Sequence, residues 1–443
     1  MGKLFGTDGI RGEAGKYPLN VDFCIHLADA LIKKFELSEG SLVIIGKDTR
    51  ESGDMLEHAL AAAFCSYGLN VELLGIVPTP SVSILTPQLH ADIGIMISAS
   101  HNPFRDNGIK IFNSQGLKLL DADEDEIENY IFQESVLKNL KNFGGVYQNF
   151  SAIDFYKEKI LNAFHFEKNK IEKLKIVLDC ANGSFSKIAP EIFKKFGFEI
   201  FKIAVDPSGK NINENCGVTY PKNLSEKVLE QKADFGIAFD GDGDRVIFCD
   251  ENGEILDGDY ILAALVESKK IARGSEVIST IMSNYGFEKY LGVKGIKLVR
   301  TKVGDRYISE YMRNSNAIIG GEPSGHIILR EHALTGDGLF TALKIVQYIS
   351  DENKKCSELR KIFNLFPNIS ENVHVKNKSV IFEKDICEKI EKFKMQLNGR
   401  GKLIVRPSGT EPLIRISAEG QEISELQEIV DTLIKEIKAS EKL

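Results

Sequence analysis

The sequence predicts an α/β protein: three similar α/β units followed by a smaller α+β domain. Three observations carry this. The chain has 443 residues, too many for one domain of roughly 100–200 residues. Strand and helix signals alternate through most of it, as βαβ units do. Past residue 367 the pattern changes to a compact set of strands and helices of another order.

The first unit opens on SLVIIG at 41–46, an apolar run bounded by polar residues and read as a buried strand. Over 54–67, Met55, Leu56, Ala59, Leu60, Ala63, Phe64 and Tyr67 repeat at helical spacing, with Gly68 where a helix stops. Strands at 71–76 and 93–98 complete a mainly parallel sheet. The pattern restarts with a strand at 173–180, a helix at 188–196 ending on Gly197, and strands at 198–205 and 233–239. A third round follows: helix 259–272, strand 275–280, helix 284–291, strand 296–301, helix 305–313, strand 316–320 and helix 337–350. The end reads strand 371–376, helix 383–396, strands 402–406 and 413–418, and helix 424–438. The aperiodic, Gly/Asn-rich 141–151, the turn ENGE at 251–254 and the Pro367 region are expected linkers. The expected domains are therefore 1–150, 151–255, 256–367 and 368–443.

Composition narrows function. Hydrophobic residues make up 43% and charged residues 27%, a globular balance. A net charge of -8 and a pI of about 5.7 argue against a nucleic acid or an anionic membrane as partner. No apolar run approaches the roughly 18 residues of a membrane span, and MGKLFGTDGIRG lacks the layout of a secretory signal. A cytoplasmic protein is expected. Seven scattered cysteines without a C-x-x-C fit buried, reduced thiols better than a disulfide framework or a zinc site.

Four loops gather chemistry. In ISASHNPFRDNGIK (97–110), Ser100 follows an apolar strand, where α/β sheets place ligands. His101, Asn102 and Lys110 add donors and an acid/base group, although such residues also make plain turns. In FDGDGDR (239–245), Asp240, Asp242 and Asp244 alternate with glycines. In an extended or curling loop that spacing can bring three hard oxygen ligands onto one Mg or Ca ion. An EF-hand would need Gly where Arg245 stands, and a helix rather than a strand before the loop. Three adjacent carboxylates without a cation would repel one another. GGEPSGH (320–326) offers Glu322 and Ser324 for sugar hydroxyls with the His326 imidazole on the same loop, or an ordinary turn. RPSGTEP (406–412), with Arg415 beyond it, sets Arg406, Ser408, Gly409 and Thr410 as an anion nest between two strands. No Walker lysine follows it.

Together, and in this order, the four loops resemble those of the α-D-phosphohexomutase superfamily, across the whole chain. SASHNP at 98–103 resembles the phosphoserine loop and DGDGDR at 240–245 the metal loop. GEPSGH at 321–326 resembles the sugar-recognition loop, and RPSGTEP the phosphate-binding loop. FGTDGIRG at 5–12 and KVGDRY at 302–307 are similar to the phosphoglucosamine mutase branch. Pro323 departs from the polar residue usual there. The resemblance implies three similar mixed α/β domains and a smaller C-terminal α+β domain around a central cleft.

It also implies a phosphorylated Ser100 as the transferable group and one Mg2+ per active site. Asp240, Asp242, Asp244 and a phosphate oxygen on Ser100 would hold the ion. The phosphoryl group would move between O6 and O1 of glucosamine phosphate by way of a 1,6-bisphosphate. A glucosamine or glucose 1,6-bisphosphate would serve as activator, and the product would supply UDP-N-acetylglucosamine synthesis. His101, Lys110 and Arg11 are the implied proton-transfer and assisting groups. Arg245, Lys302, Glu322, Ser324 and His326 would bind substrate. Arg406, Ser408, Gly409, Thr410 and Arg415 would bind phosphate. The implied partners are hexosamine phosphates, with the chain acting as a monomer or homodimer. A phosphomannomutase/phosphoglucomutase shares every loop but the sugar loop and is the nearest rival. A non-catalytic sugar-phosphate-binding relative would be expected to lack Ser100 or the aspartates.

Overall fold

A computed structural model describes residues 4–133, 142–172, 174–408 and 412–440. The chain packs as two units. One comprises the residues up to Met282 together with Gly295–Ile362, the other Ser283–Lys294 with Phe363–Leu443.

The larger unit holds three sheets. The first contains β1 (Phe5–Gly6), β2 (Gly9–Glu13), β3 (Leu42–Lys47), β4 (Asn70–Ile76), β5 (Ile93–Ile97), β6 (Asp106–Asn113) and β7 (Val146–Gln148). Their order is β1-β2-β6-β5-β3-β4-β7. The strands β5, β3, β4 and β7 run parallel, while β6 returns antiparallel to β5 and pairs with β2. The sheet is therefore mixed rather than mainly parallel. Eight residues after Ile97, most of them polar or turn-forming, reverse the chain directly, without a crossover helix. Val43 and Ile45 face a core shared with helices Val21–Lys34, Gly53–Ser66 and Asp121–Ile131. Ile44, between them, faces Val82 and Leu85 of helix Thr79–Gln88. Both faces are covered, which is why β3 reads as one continuous apolar run.

The second sheet comprises β8 (Lys175–Asp179), β9 (Glu199–Ile203), β10 (Phe235–Phe239), β11 (Val246–Asp250) and β12 (Ile255–Leu256). It has the order β12-β11-β10-β8-β9. The third has β13 (Glu276–Thr280), β14 (Lys297–Thr301), β15 (Ile319–Gly321) and β16 (Ile327–Leu329), ordered β14-β13-β15-β16. Each repeats the device of the first: parallel strands, then an antiparallel hairpin, β10–β11 or β15–β16. The smaller unit carries β17 (Asn368–His374), β18 (Gly401–Pro407) and β19 (Leu413–Gly420), antiparallel in the order β17-β19-β18. Helices Lys384–Leu397 and Ile423–Ser440 pack on it through Ile386, Ile390, Leu426 and Leu433. The fold is thus three α/β sheets and a C-terminal α+β unit.

Helix Tyr285–Val293 belongs to the smaller unit. Glu419 accepts from the Tyr285 amide at 2.8 Å, and Phe287 packs its ring 5.7 Å from Phe363. The stretch expected as a linker at 141–151 contains β7, whose backbone pairs in parallel with β4. Its side chains are all exposed, so no apolar alternation marks it. Strand 316–320 begins only at Ile319, and strand 371–376 begins earlier, at Asn368. All seven cysteines are free, five of them buried. Cys65 is half-buried. Cys387 is exposed, because Ile386 and Ile390 take the inward face of its helix.

Candidate active site

Three of the four loops come together in the larger unit, each at the tip of a hairpin. Ser100 lies in the β5–β6 turn, fully buried, with φ of 52°. A serine in the left-handed region is held there against a cost of about 1–2 kcal/mol. The holding contacts are explicit. The Ser98 hydroxyl accepts from the Ser100 amide at 2.9 Å and itself donates to Asp48 at 2.6 Å. The Ser100 carbonyl accepts from Arg50 Nη2 at 3.0 Å and Asn213 Nδ2 at 2.8 Å. So fixed, Ser100 Oγ donates to Asp240 Oδ2 at 2.6 Å and lies 3.4 Å from His101 Nδ1.

The metal loop is the β10–β11 turn. Gly241 passes so close to the first loop that a Cβ there would sit 2.7 Å from the Ser100 carbonyl oxygen. Asp242 is tied back to helix Thr79–Gln88, accepting from the Thr79 hydroxyl. Oxygens of Asp240, Asp242 and Asp244 lie within 4.8 Å of one another, all three residues buried. Asp242 Oδ1 and Asp244 Oδ1 have no hydrogen-bond partner although both are buried. Buried carboxylate oxygens are costly to leave unmatched, and three hard oxygen donors suit Mg2+. The residues present therefore fit the ion. Burial, then Asp244 and Asp242, push the Asp240 carboxyl well above its usual range. Burial also opposes ionisation of Asp244, but Lys110 and His326 more than offset it and hold Asp244 well below.

Positive groups surround this set. Lys110, opposite Met96 in the hairpin, is buried with Nζ 2.7 Å from Asp242, 3.2 Å from Asp244 and 2.8 Å from Asp8. Burial works against its charge, but Asp242, Asp244 and Asp8 outweigh burial and keep the ammonium protonated. Arg11 Nη2 donates to Asp8 at 2.6 Å. Burial, then Arg245 and Arg11, press the His101 imidazole down to about 4. His101 is thus neutral near pH 7. Arg245 Nη1, which can only donate, lies 3.1 Å from Nδ1, so the ring proton sits on Nε2.

The sugar loop is the β15–β16 turn, and it docks on β11: the Val246 amide donates to the Gly325 carbonyl at 3.0 Å. Glu322 is buried. It accepts from the Gly304 amide at 3.1 Å, which brings the 302–307 stretch alongside. Burial, then Asp305, raise its carboxyl. His326 is buried between Asp244 (Nδ1 at 3.6 Å) and Asp305 (Nε2 at 3.3 Å). Ser324 is exposed, with Oγ 3.5 Å from Glu322; Lys302 is exposed, with Nζ over the Tyr307 ring. The Pro323 carbonyl accepts from the Gly258 amide at 3.0 Å, which anchors the loop to helix Gly258–Ser268.

In the smaller unit, Arg406 on β18 stands directly opposite Arg415 on β19. Like charges in that position repel; burial and Arg415 together lower the Arg406 guanidinium. A bound anion would relieve the repulsion. Ser408 is buried. Its amide donates to the Leu413 carbonyl at 2.8 Å, and its carbonyl accepts from Lys378 at 2.7 Å. Gly409 and Thr410 lie outside the described residues.

The sequence reading did not single out Asp8, Asp48, Arg50, Thr79, Lys118, Asn213 or Asp305. Asp8 and Asp305 sit inside two of the quoted motifs, which was the available signal. Lys118 and Asn213 carry none, since only the folded chain brings them to the site.

The fold and these loops define a phosphohexomutase. Models of the phosphoglucomutase/phosphomannomutase family match the chain in order: α/β/α domain I at 2–138, domain II at 154–253, domain III at 257–366, and the C-terminal domain at 351–436. A phosphoglucosamine mutase of Zymomonas mobilis is 44% identical over 440 residues, covering 98% of this chain and 99% of the relative. One from Carboxydothermus hydrogenoformans is 44% identical over 453 residues, covering 99% and 100%. The chain belongs to the phosphoglucosamine mutase family. Among solved structures, a phosphoglucomutase/phosphomannomutase family protein from Burkholderia thailandensis has the same fold. Its TM-score is 0.80 at 23% identity, covering 99% of this chain and 97% of that one. An Aspergillus fumigatus N-acetylphosphoglucosamine mutase, solved with GlcNAc-6P and magnesium, matches with a TM-score of 0.66 at 18% identity, covering 99% and 96%. No helix among the described residues is long and apolar enough to cross a membrane.

Proposed function

We propose that the chain interconverts glucosamine 6-phosphate and glucosamine 1-phosphate through phosphorylated Ser100 and a 1,6-bisphosphate. The observation that carries this is the Ser100 hydroxyl, gripped in a left-handed turn and aimed at Asp240 in a three-carboxylate set. Asp240, Asp242 and Asp244, with an oxygen of the phosphoserine, would hold one Mg2+. Bound there, the ion neutralises charge on the group in transfer.

The remaining work falls to side chains. Arg245 adds a second positive charge beside Ser100. The sugar hydroxyl loses a proton as it attacks phosphorus, and Ser100 Oγ leaves. His101, whose Nδ1 lies 3.4 Å from the leaving Oγ, and charged Lys110 would serve the proton transfers, with Arg11 steadying Asp8. The bisphosphate turns over and returns its other phosphoryl group to Ser100. A glucosamine or glucose 1,6-bisphosphate would prime the enzyme. Glu322, with Ser324, His326 and Lys302, would read the sugar. Arg406, Ser408 and Arg415, with Gly409 and Thr410, would hold the phosphate that does not react. The division at 1–150, 151–255, 256–367 and 368–443 belongs to this reading, supported by the order of the family models. So does a cytoplasmic location, because hexosamine phosphates carry too much charge to cross a bilayer unaided.

Coupled assays with glucosamine 6-phosphate, glucose 6-phosphate and mannose 6-phosphate side by side test the substrate. We expect kcat/KM to favour the amino sugar by roughly tenfold or more. Pro323→Gln is expected to change that ratio while leaving Ser100 phosphorylation intact. A preference for glucose or mannose phosphate would place the activity with the phosphomannomutase/phosphoglucomutase rivals. Arg406→Ala should raise KM about tenfold, the scale of one charged hydrogen bond, and release more bisphosphate during turnover. An unchanged KM without release would remove Arg406 from the phosphate site.

A further inference from the structure

Six side chains from distant parts of the sequence close a ring of alternating acidic and basic groups beside the metal loop. Lys110 Nζ meets Asp8 Oδ2 at 2.8 Å, and Asp8 Oδ1 meets Lys118 Nζ at 2.6 Å. Lys118 pairs with Asp305, whose Oδ2 is 3.3 Å from His326 Nε2, the nitrogen that also accepts from the Gly336 amide at 3.1 Å. His326 Nδ1 is 3.6 Å from Asp244, and Asp244 returns to Lys110 at 3.2 Å. Arg11 adds a third cation on Asp8.

Lys110 touches Asp242 and Asp244, the same carboxylates offered to the metal. A divalent ion on them faces the ammonium across shared groups, and like charges so placed repel. Lys110 is buried, so withdrawing without a partner would strand a charge in low dielectric. Asp8 is the carboxylate within reach that lies outside the metal set. Lys118 and Arg11 hold it in place, and a void of about 20 Å³ borders Asp8, Lys110 and Lys118, room for a water-sized shift.

We propose that Asp8 is a positioning residue: it is the counter-ion that keeps Lys110 from competing with the divalent cation at Asp242 and Asp244, with Lys118 and Asp305 fixing it by closing the ring. This rests on the metal assignment above. The test is direct Mn2+ binding by electron paramagnetic resonance on full-length protein, so no turnover is needed. Asp8→Asn should weaken Mn2+ binding about tenfold, the scale of coupling between contacting charged residues. In a Lys110→Met background the same change should cost less than about twofold, because the competitor is gone. Asp8→Glu, which keeps the charge, should bind nearly as wild type and shows that loss in Asp8→Asn is not misfolding. Equal losses in both backgrounds would mean simple through-space attraction and overturn the inference, as would no loss at all. Asp242→Asn separates the two readings. If it abolishes Mn2+ binding while Asp8→Asn does not weaken it, only the ring inference fails. If wild-type protein binds no Mn2+, the metal assignment falls with it.

Discussion

Ser100→Ala is expected to lower mutase activity by a factor on the order of 10^4 or more, the scale of losing a covalent nucleophile, while the protein remains folded. The change removes the atom proposed to carry the phosphoryl group and little else. Alanine keeps the backbone contacts that fix the turn: the amide to Ser98 and the carbonyl to Arg50 and Asn213. The lost hydroxyl had one close acceptor, Asp240, so the stability cost should be about 1 kcal/mol. A second consequence comes from the backbone. At φ of 52° any L-residue is strained and glycine is not. Ser100→Gly should therefore be equally inactive but more stable than Ser100→Ala by about 1 kcal/mol. Mass spectrometry of active wild-type protein should find one phosphate on the peptide carrying Ser100, and none there in either variant. An active Ser100→Ala protein would end the phosphoserine mechanism.

What could be read in the sequence was local. Apolar runs such as 41–46 and 235–239 are strands buried on both faces, and their continuous hydrophobicity announces them. Each chemical loop begins where such a run stops and small polar residues take over. The loops were therefore visible, but the turn each makes was less so. The return of β6 antiparallel to β5 depends on Arg50, distant in sequence, pulling the 100–106 carbonyls together. Helix Thr79–Gln88 was hidden by Pro80 and Pro87. The first falls in the opening turn, where a missing amide costs nothing, and the second falls near the end. Its Thr79 then anchors Asp242, a contact across 163 positions that no pattern marks. The same holds for the charged ring through Lys118. Individual charges can be listed from a sequence, but their pairing is a property of the folded unit.

Stripping the proposed cation, or replacing one of the carboxylates proposed to hold it, should be the other severe change. Asp242→Asn has nearly the same shape. Its remaining carbonyl oxygen is claimed by Lys110 and Thr79, which donate to Asp242 Oδ2 in the wild type. That orientation points the amide NH2 at the position of Oδ1, the buried oxygen without a partner. A hydrogen-bond donor then faces the cation where a hard anionic ligand is required. The loss in kcat should be roughly a hundredfold or more, above the 10–100-fold typical of removing a mere outer partner of a metal site. Raised Mg2+ should restore part of it. Wild-type protein freed of metal with EDTA should lose activity to a similar degree and regain it fully with Mg2+. The fold should persist in both cases, because the three aspartates lie on a loop pinned by β10, β11 and helix Thr79–Gln88. Circular dichroism would show this. Metal-free protein that turned over at the full rate would remove the cation from the reaction and leave the three carboxylates without the role proposed for them.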